Sequence, residues 1–173
     1  GDTTPPSIVS MVPADTASGV LNNANIVITF SEAMNRANVQ AAYQSASNGI
    51  RPADVTFEWN PESTVLTVNP NVDLPYASGT NSGIAANAFS FTLNTTATDA
   101  AGNAIASPSS ATFRTLRNIT QTINANFTGY IRNDNSMSTT QLYVGESVAV
   151  TNGVLKGFVQ FDLSSLPASL TAE

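Results

Sequence analysis

Cysteine and histidine are both absent from the 173-residue chain. Their absence excludes thiol catalysis, Cys/His zinc sites and any Ser-His-Asp triad. Without disulfides, the fold must rest on packing and on any bound ions. Charge is scarce too: 10% of residues are charged, against the ~25% usual in a globular domain. Lys156 is the single lysine and the net charge is −6. No basic patch can neutralise several phosphates, so nucleic-acid binding is excluded as an expectation. No run of about 18 apolar residues exists to cross a membrane as a helix, so no membrane insertion is expected. The start, Gly1-Asp2-Thr3-Thr4-Pro5-Pro6, lacks the basic and apolar regions of a signal peptide. It reads as the beginning of an excised module. At the far end Ala172-Glu173 follows an unfinished apolar pattern, so the chain is expected to be cut at both ends.

What remains is 42% hydrophobic, with Ser, Thr, Asn and Ala carrying the polarity. Such a composition favours strands and turns over helices. Short apolar alternations recur between Gly, Pro, Asn and Asp, the pattern of an all-β sandwich. Ser7 to Val12 predicts a first strand and Asn25 to Ser31 a second, with Ile26, Ile28 and Phe30 on one face. Val55, Phe57 and Trp59 share a face of the next. Leu66 and Val68 then point inward, and Asn69-Pro70 ends that strand. Phe89, Phe91 and Leu93 continue the alternation, and Thr112 to Thr115 closes it. Only Glu32 to Tyr43 has a helical composition. About seven strands over residues 1–117 match one immunoglobulin-sized sandwich. Residues 118–173 predict further strands near Ile123 to Arg132, Leu142 to Val144, Val148 to Val150 and Leu155 to Phe161. A piece of that size buries little surface alone. It reads as the start of a second, truncated β-domain, completed elsewhere or packed on the first.

Four stretches carry a family likeness: Asp2 to Pro6, Pro13-Ala14-Asp15-Thr16-Ala17-Ser18-Gly19-Val20, Ile28 to Asn35, and Ala97-Thr98-Asp99-Ala100-Ala101-Gly102-Asn103-Ala104. Together they make residues 1–117 resemble the bacterial Ig-like domain of S-layer proteins and surface adhesins. Ala77 to Ala88 looks like an insertion in that pattern, and Val39 to Pro52 is a long connection. Gly129-Tyr130-Ile131-Arg132, Leu142-Tyr143-Val144-Gly145 and Phe158 to Pro167 resemble the opening of a DNRLRE-type β-sandwich module. Some members of that family are associated with acidic polysaccharide, and here only Arg132 and Lys156 would meet an anionic sugar.

The stretch Ile28 to Asn35, ITFSEAMN, places a lone carboxylate, Glu32, where a strand should end. In an Ig-like sandwich the second strand returns to the N-terminal pole, and the next-to-last strand climbs to the same end. Topology thus gathers Asp2, Glu32, Asp99 and Asn103 into one neighbourhood. Three carboxylates with other oxygens suit Ca²⁺, which takes six to eight oxygen ligands. Alternatively Asp99 and Asn103 build a turn in which Gly102 supplies positive φ, while Glu32 caps a short helix. A catalytic acid is the third reading. Other carboxylate pairs, Glu58 with Glu62 and Asp134 with Glu146, are read as solvated turn residues without a pocket. Tyr43, Tyr76, Tyr130 and Tyr143 are sugar-platform candidates, with core packing as the default reading for aromatics. The sequons at Asn94, Asn118 and Asn126 arise readily in so Asn- and Thr-rich a chain.

No catalytic residue is therefore assigned. The expected role is a non-catalytic structural or adhesive spacer in an extracellular or cell-surface protein: adhesin, S-layer or extracellular filament. Its expected partners are neighbouring domains or copies of the same protein. The alternative is an accessory carbohydrate-binding region of a secreted polysaccharide-degrading enzyme, with polysaccharide as partner. A third expectation is completion of the second sandwich by a neighbouring chain through exposed strand edges.

Overall fold

The computed structural model describes residues 1–80, 83–120, 122–131, 137–138, 145–147, 153–162 and 164. It divides into two compact units, Gly1–Gly79 with Gly83–Ile119, and Thr80–Ser82 with Thr120–Glu173. In the first unit the apolar alternations have become strands in the order β1 (Ile8–Val12), β2 (Ile26–Phe30), β3 (Tyr43–Gln44), β4 (Val55–Trp59), β5 (Val65–Pro70), β6 (Ala77–Gly79), β7 (Ala88–Leu93), β8 (Ser109–Arg114) and β9 (Arg117–Ile119). A helix, α1 (Arg36–Ala42), precedes β3, and a 3₁₀ turn (Pro52–Asp54) precedes β4.

One antiparallel sheet runs β1-β2-β5-β4 and a second runs β3-β7-β8. On β2 the residues Ile26, Ile28 and Phe30 are buried while Val27 and Thr29 are not fully so. Leu66 lies opposite Ile28, and Val68 opposite Ile26. From the other sheet Phe89, Phe91, Leu93, Ala111 and Phe113 enter the same core. The Phe89 and Phe113 rings stack at 5.6 Å. Because the side-chain period of a strand is two, slipping β2 by one residue would turn three large apolar groups to water. That penalty pins the register.

The Ala-Asn-Val-Gln-Ala run forms α1, with Val39 and Ala42 buried on its inner side. Asn35 is the N-cap, its side-chain oxygen accepting the Asn38 N–H at 3.2 Å. This corrects the cap reading of Glu32: the shorter amide side chain three positions later sits where the first turn's free N–H can reach it. Tyr43 is not a sugar platform. Its ring is buried between Phe57 and Phe91, and its hydroxyl donates to the Ile50 carbonyl at 2.7 Å. Burial pushes that phenol far above its ordinary value. Glu58 stands exposed on β4 and not on a turn, because Val55 and Trp59 draw the strand's other face onto the core. Trp59 is half-buried and stacks on Phe30 at 6.0 Å.

In the second sheet, β8 and the stretch of β7 around Ser90 are covered by bonds from distant segments, which limits templating of other strands there. Along β8 the Arg114 N–H donates to Ala17 O, the Val20 N–H to Arg114 O and the Thr16 N–H to Thr112 O. Asp15 Oδ1 accepts the Thr112 N–H at 2.9 Å. Beside β7, Ser45 Oγ donates to Ser90 O and Ser47 Oγ accepts the Ser90 N–H. Within the Ala77–Ala88 insertion, β6 pairs in parallel with β9.

The second unit forms one antiparallel sheet, β11-β10-β13-β12, from β10 (Ala125–Ile131), β11 (Met137–Ser138), β12 (Gly145–Ser147) and β13 (Gly153–Phe161). Asp162 Oδ1 accepts the Ser164 N–H at 2.9 Å, ending β13 in a turn. The expected strands at Leu142 to Val144 and Val148 to Val150 lie outside the described residues, as do Asp134 and the Tyr143 site.

The core's dominance gives a contrast between two apolar side chains. Phe91→Ala should cost about 3–5 kcal/mol of unfolding free energy. Val72→Ala, at a side chain 76% exposed, should stay within about 0.5 kcal/mol. Chemical denaturation of the full chain measures both, and comparable losses would show that the core is misplaced.

Candidate functional site

The strand directions carry three separate loops to one end of the first sandwich. Leaving β2, the chain makes an isolated antiparallel bridge between Met34 and Asp99. The Asn35 N–H donates to Thr98 O at 2.9 Å and the Ala100 N–H to Ala33 O at 3.2 Å. Asn38 Nδ2 adds a bond to Thr98 Oγ1 at 2.9 Å. The N-terminal arm is tied on by a reciprocal pair, Ser31 N–H to Ser7 O and Ser7 N–H to Ser31 Oγ, each 2.9 Å. These braces deliver Asp2, Glu32 and Asp99 together, with one oxygen from each lying within 4.8 Å of the others. They line a shallow depression of about 380 Å³ with Ala33, Ala100 and Ala101.

Asp99 is the most constrained of the three, with 1% of its surface exposed. Its Oδ1 accepts the Asn103 N–H at 2.8 Å and its Oδ2 accepts Asn103 Nδ2 at 2.7 Å. The Asp99 N–H in turn donates to Asn103 O, and Gly102 takes φ +97° to close the turn. Desolvation pushes the Asp99 carboxyl up. The Asn103 side chain, with the backbone N–H groups of Asn103, Gly102 and Ala101, outweighs it, so the net shift is below 3.8. Glu32 goes the other way. Desolvation, then the Asp2 and Asp99 charges, then a bond shared with Asp2 raise it above 4.5.

All four residues singled out from the sequence thus meet at one pole. Asn103 turns its amide nitrogen inward, since both neighbours it touches, Asp99 Oδ2 and Asp2 O at 3.2 Å, are acceptors. It positions Asp99 and the N-terminal arm in this arrangement. The donor set fits a hard cation on size: Ca–O distances of 2.3–2.6 Å place oxygens on opposite sides of the ion about 5 Å apart. Asp2, Glu32 and Asp99 would be the holding residues, and the ion would supply the positive charge their mutual repulsion lacks.

A second cluster escaped the sequence reading. Arg114 and Arg117 line a depression of about 440 Å³ with Ser18, Gly19, Ile84, Ala85 and Ala86, at the opposite end of β8 from Ser109. No short-range signal reveals it, because its three segments are brought together by bonds between distant positions, among them the β8 edge bonds, the Thr115 N–H donating to Asn87 O at 3.1 Å and Arg117 Nη1 donating to Ile84 O at 3.0 Å.

Comparison with known proteins adds one family and several distant structural likenesses. Residues 2–115 match the model of the bacterial Ig-like domain, Big_5. No characterised protein sequence matches the chain significantly. Among solved structures, the S-layer protein rSbsC(31-844) has 11% identity and a TM-score of 0.42, covering 90% of this chain and 24% of that one. The L,D-transpeptidase from Mycobacterium smegmatis has 15% identity and a TM-score of 0.42, covering 92% of this chain and 77% of that one. Domains 1–6 of surface layer protein SbsC give 10% identity and a TM-score of 0.41, covering 91% and 24%. The chain therefore spans about a quarter of the S-layer chains it matches, and scores at this level carry no functional argument.

The acidic pole has a pH signature of defined sign. Glu32 holds its proton more tightly folded than unfolded, so its stabilising contribution is full below pH 4.5 and is lost as pH rises through the raised native value. Asp99 contributes above pH 3.8 and loses that contribution as acid protonates it below. In metal-free buffer the melting midpoint of the natural chain should therefore fall as pH rises above 4.5 through the raised native value of Glu32. Glu32→Gln should flatten that segment and melt higher at pH 7. Parallel melting curves for the two proteins would show that the carboxylates do not interact.

Proposed function

Because the chain belongs to the bacterial Ig-like domain family, we propose that it is a non-catalytic spacer module of an extracellular or cell-surface protein. The observation that carries this reading is the cross-bracing of the N-terminal arm onto the sandwich. Ser7, Ser31, Asn103 and Asp2 bond the arm to two loops, so that the direction in which the chain enters the domain is held by hydrogen bonds. A module that fixes its entry angle can keep neighbouring modules at a set orientation, the requirement of an adhesin stalk, an S-layer or a filament. Neighbouring domains and copies of the same protein are the partners this role implies.

Calcium completes the proposal. A cation held by Asp2, Glu32 and Asp99 would bind the arm through Asp2 and the sandwich through the other two, stiffening the joint. Binding raises the stability of the folded state by RT ln(1 + [L]/Kd), about 1.4 kcal/mol at ten times Kd. Extracellular calcium modules have dissociation constants of roughly 10⁻⁴–10⁻³ M.

Two measurements test the proposal separately. Titrating metal-stripped protein with calcium to about 10 mM should raise the melting midpoint by several degrees, and Glu32→Gln should abolish the rise. No rise removes the ion while leaving the spacer reading in place. For the spacer itself, migration through gels containing neutral or acidic polysaccharides should match migration in plain gels. Retardation by one polysaccharide would overturn the spacer role in favour of an accessory carbohydrate-binding region of a secreted polysaccharide-degrading enzyme.

A further inference from the structure

Positive charge is rare enough in this chain that its placement carries information. The described part of the first unit holds four arginines, Arg36, Arg51, Arg114 and Arg117. Arg51 pairs with Asp54 at 2.6 Å. Arg36 is spent on the Asn60-Pro61-Glu62-Ser63 turn, donating to Ser63 Oγ at 2.8 Å, Asn60 O at 3.0 Å and Pro61 O at 3.1 Å. Both therefore have structural work. Arg114 does not: its guanidinium is exposed and has no partner among the described residues. Its backbone is immobilised instead, by bonds to Ala17 and Val20 on one side and by the Ala88 pairing on the other.

Arg117 reaches the same depression with Nη1 laid against Ile84 O. The floor is apolar: Gly19 lies close enough to Leu116 that a Cβ there would sit 3.6 Å from its methyl. Four lining residues, Ser18, Gly19, Ala85 and Ala86, have backbone N–H groups with no bond among the described residues. Gly19 has φ +68°, a turn conformation of the kind that leaves successive N–H groups open to an anion. Asp15, which lies beside β8, has its Oδ1 committed to the Thr112 N–H at 2.9 Å.

We infer that this depression is a binding site for a carboxylate, taken by Arg114 with support from Arg117 and the open N–H groups of the Ser18-Gly19 turn. A guanidinium presents a planar fork that matches a carboxylate in two parallel bonds. The carboxylate has two sources of the same chemistry. One is a free organic or sugar acid. The other is the acidic pole of a second copy, where Glu32 lies among like charges at the opposite end of the sandwich. The site stands independently of the spacer reading, since either source can be bound by a spacer or by a carbohydrate-binding region.

The experiment is an amide NMR titration of the full chain at low ionic strength with sodium acetate and sodium glucuronate, each matched against sodium chloride. Ser18, Gly19 and Arg114 should shift saturably with the carboxylates and not with chloride. Arg114→Gln should weaken binding by about fivefold or more. Arg117→Gln should weaken it less, and Arg51→Gln should leave it unchanged. Sedimentation over a concentration series then separates the sources. Self-association lost in both Arg114→Gln and Glu32→Gln assigns the carboxylate to a second copy. A monomer that still titrates assigns it to a free acid. Shifts identical to those with chloride, or binding unaffected by Arg114→Gln, together with no Arg114-dependent association, would overturn the site.

Discussion

Between the two sheets of the first unit, Ile26, Ile28, Leu66 and Val68 pack with Phe89, Phe91, Leu93 and Phe113, and this dry layer decides where every polar loop goes. Burying these side chains is worth roughly 1.5–3 kcal/mol apiece before entropy is charged. No disulfide shares the task, because there is no cysteine. Once β2 and β7 are locked in register, their ends are locked too. Glu32 and Asp99 then meet as a consequence of packing that neither carboxylate favours by itself.

That opposition explains the chemistry of the pole. Asp99 is buried, but Asn103 and three backbone N–H groups replace its lost water, so it stays ionised more readily than a free aspartate. Glu32 has no such set of donors and sits near two like charges, so it resists ionisation. Core packing thus forces an electrostatic tension that a proton or a cation at the pole would relieve. The opposite end shows the complementary arrangement, with Arg114 held by edge bonds yet lacking a carboxylate partner among the described residues.

Backbone closure is the other recurring device. Segment 15–20 bonds along β8, and the Ser45 and Ser47 hydroxyls stand in for a missing strand beside Ser90. These bonds shield edges that would otherwise invite pairing with other strands. They also shape the surface, since the β8 closure is what places Ser18 and Gly19 beside Arg114 and Arg117. Protection of an edge and construction of a cavity come from the same few contacts.

Period-two alternation in Ile26-Val27-Ile28-Thr29-Phe30 and in Phe89-Ser90-Phe91-Thr92-Leu93 was enough to establish strands, inward faces and the all-β class, because water sorts alternate side chains whatever lies opposite. The turn around Gly102 was equally local, since only nearby residues make it. The gathering of Asp2, Glu32, Asp99 and Asn103 was legible through strand direction once the sandwich was assumed. Other features depended on contacts across the sequence. Asn35 became the cap because the Met34–Asp99 bridge stops the chain just before it. Tyr43 went inward because Phe57 and Phe91 converge on it. Asn103 turned its nitrogen inward because two acceptors faced it. The pairing of Arg114 with a glycine turn 95 positions earlier was decided by tertiary structure alone. Local sequence dictates which face of an element avoids water, whereas a site assembled from three distant segments exists only after the core has brought those segments within reach of one another.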